Sequence, residues 1–366
     1  MDTEAFLAAA GELLAVPSTA DRPAELGRAL DFVLGFAGPG FTVERFDSGG
    51  KPSALLYRGT PRPEFRILLN AHLDVVPAPP EQFRPRLEDG RLYARGAQDM
   101  KVSALVQAQV FREAAGTAEY ALGLQLVTDE EVGGRNGTLH QLQEGVRADF
   151  VVIGEHSGLR IVTDSKGVIT VNLRAVGQSG HSAYPWLGDN ALVKLQRSLA
   201  RLLAVYPVPD REEWRTTVNV ARIETPNQAR NKIPDRAEAW LDIRYPPEDP
   251  DLAGRTIPEL TAYLTGFCEP GVTPVIGQAD PPHHADRDRP EVGALRRAAR
   301  GQGYDASFLR KHGAADARFY YQRGTDAVIF GVGGDGQHGP REFADIATIG
   351  PYYRALTDFL RDPGSS

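Results

Sequence analysis

The stretch RILLNAHLDVV, Arg66 to Val76, decides how the chain is read. Ile67, Leu68 and Leu69 form a short apolar run that ends in Asn70-Ala71-His72-Leu73-Asp74. A run of this length bounded by polar residues reads as a buried central strand. Ligands of open α/β sheets sit beyond the carboxyl ends of such strands. His72 and Asp74, two apart on an extended chain, point to the same side. An imidazole with a carboxylate beside it is how a metal-binding histidine is oriented, and also what a polar turn contains, so one strand end leaves both readings open.

Other strand ends repeat the pattern. Ala121–Val127 runs into Asp129-Glu130-Glu131, and Phe150–Ile153 is followed by Glu155. Adjacent glutamates repel unless a cation or a proton compensates. Ala327–Val332 leads into a glycine-rich loop carrying His338. Asp99 stands where an apolar helix with Leu105, Val106 and Val110 begins, a place an N-cap or an outward-facing ligand can fill. Neighbouring parallel strands bring their ends side by side, so His72, Asp74, Glu130, Glu131, Glu155 and His338 are expected at one sheet edge. Imidazoles and carboxylates without a thiolate suit zinc, manganese or cobalt. Two histidines with several carboxylates exceed one tetrahedral zinc and suit a pair of metals about 3.5–4 Å apart.

Around this centre the chain alternates helices and strands. Phe6, Leu7, Ala10, Leu13 and Leu14 recur at helical spacing, as do Leu26, Leu30, Val33 and Leu34. Phe41–Phe46 and Ala54–Tyr57 read as strands, and a proline-rich loop runs from Pro77 to Pro85. That order predicts an α/β fold with a central, mostly parallel sheet flanked by helices. The middle reads differently. Gly167–Val176, Thr217–Ile223, Ala237–Ile243 and Val272–Ile276 read as strands, with helices over Asn190–Leu203 and Asp251–Cys268. The order β-α-β-β-α-β is that of a ferredoxin-like α+β unit. The expected division is a catalytic domain over 1–165 and 281–366, with an inserted domain over 166–280.

The 366 residues are 42% hydrophobic and 24% charged, enough for about two domains. The net charge of −7 gives no footprint for nucleic acid or an anionic membrane, and no apolar run suits a bilayer span. The one cysteine, Cys268, rules out an internal disulfide framework and a cysteine-based zinc site. With no signal-type start after Met1, the expectation is a cytoplasmic protein.

His72-Leu73-Asp74, Gly96-Ala97-Gln98-Asp99-Met100-Lys101, Thr128-Asp129-Glu130-Glu131 and Gly154-Glu155 resemble, in order, the motifs of the M20 family of dinuclear metallohydrolases. That family includes acetylornithine deacetylases, succinyl-diaminopimelate desuccinylases, aminoacylases, glutamate carboxypeptidases and dipeptidases. The resemblance implies two divalent metals: His72 and Glu155 on one, Glu131 and His338 on the other, and Asp99 bridging. It implies Asp74 orienting His72 and Glu130 acting as general base. It implies that the inserted domain is a lid pairing two protomers. Gly177–Pro185 is similar to the lid loop carrying a catalytic histidine, here His181, and the segments with Asn231 and Arg244 are similar to substrate-facing ones. Gly313–Arg318 resembles a site-lining segment. Two departures stand out: Val102-Ser103 follows Lys101 where the family commonly has two glycines, and His156, expected as a plain loop residue, replaces a proline. The implied reaction is hydrolysis of an N-acyl amino acid or a short peptide next to a free carboxylate, by deacylation or by dipeptidase or carboxypeptidase action. An inactive metal-binding homologue is the other reading of the fold, but no ligand and no base is missing. A metallophosphoesterase could use similar ligands, yet nothing resembles a phosphate cradle.

Overall fold

The strand Phe65–His72 is buried along almost its whole length. Ile67, Leu69 and Ala71 enter one apolar cluster, and Phe65 and Leu68 enter another. A strand covered on both faces reads as a continuous hydrophobic run, which is why the sequence does not alternate here. Truncating such a residue, Leu69→Ala for example, costs about 2–5 kcal/mol.

The structure is a computed structural model that describes residues 1–364. It divides into two compact units. The first comprises Met1–Thr163, His284–Arg310 and the chain from Ala315 onward; the second comprises Asp164–His283 and Lys311–Ala314. The second unit thus takes in the excursion Lys311–Ala314 besides the continuous span from Asp164 to His283.

In the first unit, Phe65–His72 pairs in parallel with Leu122–Val127 on one side and Ala148–Ile153 on the other. Asp326–Ile329 continues the parallel set beyond Ala148–Ile153. The register puts His72 opposite Val127 and Asn70 opposite Ile153, so three strands end at one level. Antiparallel strands flank the four: the hairpin Thr42–Ser48 with Lys51–Tyr57 on one side, Ile161–Ser165 on the other. Helices Thr3–Leu14, Pro23–Ala37, Val102–Ala114, Pro290–Gly301 and Ile346–Arg361 contribute to the larger apolar cluster. Short helices Thr138–Gln143 and Ala317–Tyr321 contribute to the smaller. Asp2 caps the first helix, its carboxylate accepting from the Glu4 and Ala5 N–H groups at 3.0 and 3.2 Å. A second sheet of four short antiparallel strands, Arg86–Glu88, Arg91–Tyr93, Phe343–Asp345 and Gly334–Asp335, occupies ground that the sequence reading left as loop.

The second unit is a four-stranded antiparallel sheet. Gly167–Val176 and Arg236–Tyr245 are its inner strands, Thr217–Glu224 and Val272–Asp280 its edges. With helices Ala191–Val205 and Ile257–Thr265 this is the ferredoxin-like order. Leu195, Leu199, Leu202, Leu260 and Leu264 form its core with Ile169, Val171, Leu241 and Ile243. One expected element is shorter. The helix read over Asp251–Cys268 begins only at Ile257, after a capping box between Thr256 and Glu259. Before it, Asp249 accepts from the Asp251 and Leu252 N–H groups and holds a turn. Among the described residues no helix is long and apolar enough to cross a membrane.

Candidate metal centre

Five separate elements place the six members of the centre. His72 ends its strand; Glu130 and Glu131 occupy a short turn after Leu122–Val127; Glu155 follows Ala148–Ile153. Asp99 lies in the irregular turn Ala97–Lys101, and His338 in the loop between Gly334–Asp335 and Phe343–Asp345. Asp99 is not the N-cap that its position in sequence permitted: the helix starts at Val102, and Asp99 has φ −125°. The turn is entered through Gly96 at φ +81°, where a Cβ would lie 2.7 Å from Val75 Cγ1.

His72 is buried and turned by Asp74. Its Nδ1 is 3.1 Å from the Asp74 carbonyl oxygen and 3.5 Å from the Asp74 carboxylate, which aims Nε2 at Asp99 Oδ1, 2.9 Å away. Asp74 has a second task that sequence reasoning missed. Its two carboxylate oxygens accept from the backbone N–H groups of Glu130 and Glu131 at 3.2 and 3.0 Å. One buried carboxylate therefore orients the histidine and anchors the glutamate turn.

The two oxygens of Asp99 face different histidines: Oδ1 meets His72 Nε2, and Oδ2 lies 3.4 Å from His338 Nε2. His338 Nε2 is also 3.1 Å from Glu131 Oε1. Two sets of potential ligand atoms result, His72/Glu130/Glu155 and Asp99/Glu131/His338, each with its atoms within 4.8 Å of one another. The Gln337 side-chain amide donates to Asp99 Oδ2 as well.

The electrostatics follow from crowding carboxylates in a buried place. Burial, then the charge of Glu155, hold Glu130 well above the usual carboxylate range. Burial also raises Glu131, against the pull of His338. Burial would raise Asp99 too, but hydrogen bonds from His338 and His72 overcome it and keep that carboxyl well below its ordinary value. Burial disfavours the imidazolium of His72, yet Asp74 and Asp99 lift it well above the normal range. Contacts with Asp99 and Glu131 raise His338 to about 10. A cluster that draws protons onto two imidazoles and two glutamates has the charge and the donor atoms to hold cations instead. His156, a loop residue, makes a smaller contribution to the charge that keeps Asp99 ionised.

Behind the glutamate turn, Arg318 donates to the Gly133 carbonyl at 2.8 Å, and Asp316 accepts from the Thr138 hydroxyl at 2.6 Å. Asp316 is buried and pushed up to about 7, mainly by that burial. These are the last members of the segment that the sequence marked as site-lining. The buried pair Arg95 and Glu342 went unnoticed. They are 247 positions apart, and an ion pair across that distance leaves no periodicity or local motif to read.

The remaining site candidates belong to the second unit. His181 is exposed; its Nδ1 accepts from the Ala183 N–H at 3.1 Å, so the neutral ring carries its proton on Nε2. The Asn231 carbonyl accepts from the Ser182 N–H at 2.9 Å, and His181 pairs with Lys232, which ties the two loops together. Arg244 holds Asp242 with both arms of its fork, at 2.6 and 2.9 Å.

The chain matches the family model described as peptidase family M20/M25/M40 over residues 68–362. It is 31% identical to a succinyl-diaminopimelate desuccinylase of Rhodospirillum centenum, over 96% of each chain. It is 33% identical to a protein named "Probable carboxypeptidase" from Aspergillus terreus, over 73% of this chain and 65% of that longer one. Among solved structures, its fold is similar to that of aminopeptidase PepT from Bacillus cereus, with TM-score 0.79, 19% identity and 99% of both chains covered.

Proposed function

The chain belongs to peptidase family M20/M25/M40, and from that premise we propose that it hydrolyses an amide bond next to a free carboxylate, in an N-acyl amino acid or a short peptide. The observation that carries this reading is the Asp99 carboxylate standing between the two histidines, one oxygen to each. A single acid so placed suits a shared ligand. His72 and Glu155 would serve one cation, Glu131 and His338 the other, and Asp99 both. Imidazole and carboxylate donors fit zinc, and manganese or cobalt nearly as well. Two such ions, when bound, acidify a shared water and polarise the acyl oxygen.

The chain's own groups do the rest. Glu130 takes the water's proton and passes it to the leaving amine; its burial beside Glu155 favours a carboxylate with high proton affinity, which a base of this kind needs. Asp74 keeps the His72 ring turned and the Glu130 turn anchored. His181, with its proton on Nε2, would donate to the developing oxyanion. Arg244 would exchange its Asp242 partner for the substrate carboxylate, which has the same planar shape, and Asn231 would support the substrate from the same sheet unit.

The test is a screen of the metal-loaded protein against N-acetyl and N-succinyl amino acids and dipeptides, each as free acid and as terminal amide. Turnover of at least one class is expected, with the amides much poorer. Two bound metals and no hydrolysis of any class would contradict the proposal; equal rates on acids and amides would remove Arg244 from it.

A further inference from the structure

Asp99 and His338 come from distant parts of the chain, and one buried ion pair holds their backbones in place. Arg95 precedes Asp99 by four residues and Glu342 follows His338 by four. Their side chains pair with only 3% and 1% exposure. Glu342 Oε1 accepts from the backbone N–H groups of Gln98 and Asp99 at 3.2 and 3.3 Å. Arg95 Nη2 donates to the carbonyls of His338 and Gly339 at 2.9 and 3.2 Å. The contact is reciprocal: the glutamate of the His338 loop holds the Asp99 turn, and the arginine of the Asp99 turn holds the His338 loop. His338 needs such a hold, because its φ of +60° lies in the left-handed region. The other ligand set differs. His72 ends one of three neighbouring parallel strands, Glu130 and Glu155 follow the other two, and the sheet ladder itself sets their spacing.

We propose that Arg95 and Glu342 are a positioning brace. They set the separation of Asp99 from His338, and with it the affinity for the cation that Glu131 and His338 would hold, while the cation of His72 and Glu155, which shares only Asp99 with it, depends on the brace less. This rests on the dinuclear reading above. The guanidinium is suited to the task, since one planar fork reaches a carboxylate and two carbonyls at once, which an ammonium does not.

The sign of the effect is diagnostic. Removing a positive charge near a cation site strengthens cation binding by charge alone; loss of a brace weakens it. The experiment is calorimetric titration of Zn²⁺ into the metal-free protein, with the melting temperature of each metal-free variant as the check on folding. Wild type should take two ions per chain. Arg95→Met should bind one of them about 10–100-fold more weakly, the scale seen when groups behind metal ligands are removed. The weakened ion should be the one lost in His338→Ala and retained in His72→Ala. Arg95→Lys should recover only part of the affinity. If Arg95→Met does not fold, Arg95→Lys decides: it keeps the positive charge and loses the fork, so weakening of the same single position cannot come from charge. Unchanged or tighter binding at both positions in a folded variant overturns the brace, and so does equal weakening of both. A wild-type protein that takes fewer than two ions overturns the dinuclear reading itself.

Discussion

Asp99 and Glu130 carry most of the chemistry assigned to this chain, and they differ in kind. Asp99 is kept ionised by two imidazoles, one at each oxygen. Glu130 is pushed toward its protonated form by burial and by Glu155. A shared ligand should be ionised and a proton carrier should bind protons readily, so the environments match the roles. Glu130 nevertheless groups with His72 and Glu155, which leaves it close enough to be a ligand. Glu130→Gln separates the two: the amide is nearly isosteric but accepts no proton. We expect full metal content with kcat lowered by about 10²–10⁴-fold. Lost metal with unchanged turnover per bound ion would make Glu130 a ligand instead. At this scale the sequence was informative wherever a residue ends a strand. It was silent on Asp74 anchoring the glutamate turn and on Arg95 with Glu342, because those contacts are made by folding and not by spacing.

At the scale of elements, the four parallel strands explain why the centre could be anticipated. Apolar runs mark the strands, and parallel pairing carries their ends to one edge. The small sheet of strands two or three residues long gave no such signal, since strands that short have no period to detect, yet it shapes the His338 loop. Asp99 was legible as a candidate but not in its conformation, because a turn of five residues with irregular backbone looks, in sequence, like the start of a helix. Lys101 joins that turn to the first helix, its ammonium donating to the carbonyls of Leu13 and Val16 at 3.3 and 2.7 Å. Burial lowers its pKa to about 7. The sign follows directly: the folded protein sheds this proton near pH 7 while the unfolded chain keeps it to about 10.4. Between those values the unfolded state binds more protons, so stability rises with pH. Lys101→Met removes the linkage. Wild type should therefore gain on this variant by about 1.4 kcal/mol for each pH unit from 7 toward 10. Denaturant melts of both metal-free proteins across that range check it, and a constant difference would show that the buried amine does not titrate there.

At the scale of the whole molecule, the chain is two units with two kinds of core. The ferredoxin-like unit was readable because its strands alternate cleanly, as in the buried and half-buried positions of Arg236–Tyr245. We propose a homodimer through the second unit, with His181 acting on the partner protomer's centre. His181→Ala and Glu130→Gln homodimers should each be nearly inactive. Mixed by reversible dissociation, they should form heterodimers with about half the wild-type activity, because one of the two sites then has both groups intact. No recovery in heterodimers verified by native mass measurement would place His181 within its own chain or outside the chemistry. The claim on which all of this stands is that two divalent ions, sharing Asp99, carry the hydrolysis. The direct measurement is activity against metal content: strip the protein with a chelator, then add back Zn²⁺ in fractions of an equivalent while assaying the best substrate. The account predicts negligible activity without metal and full recovery at two ions per chain. Full activity in the stripped protein, or recovery complete at one ion with no further change at two, would contradict it.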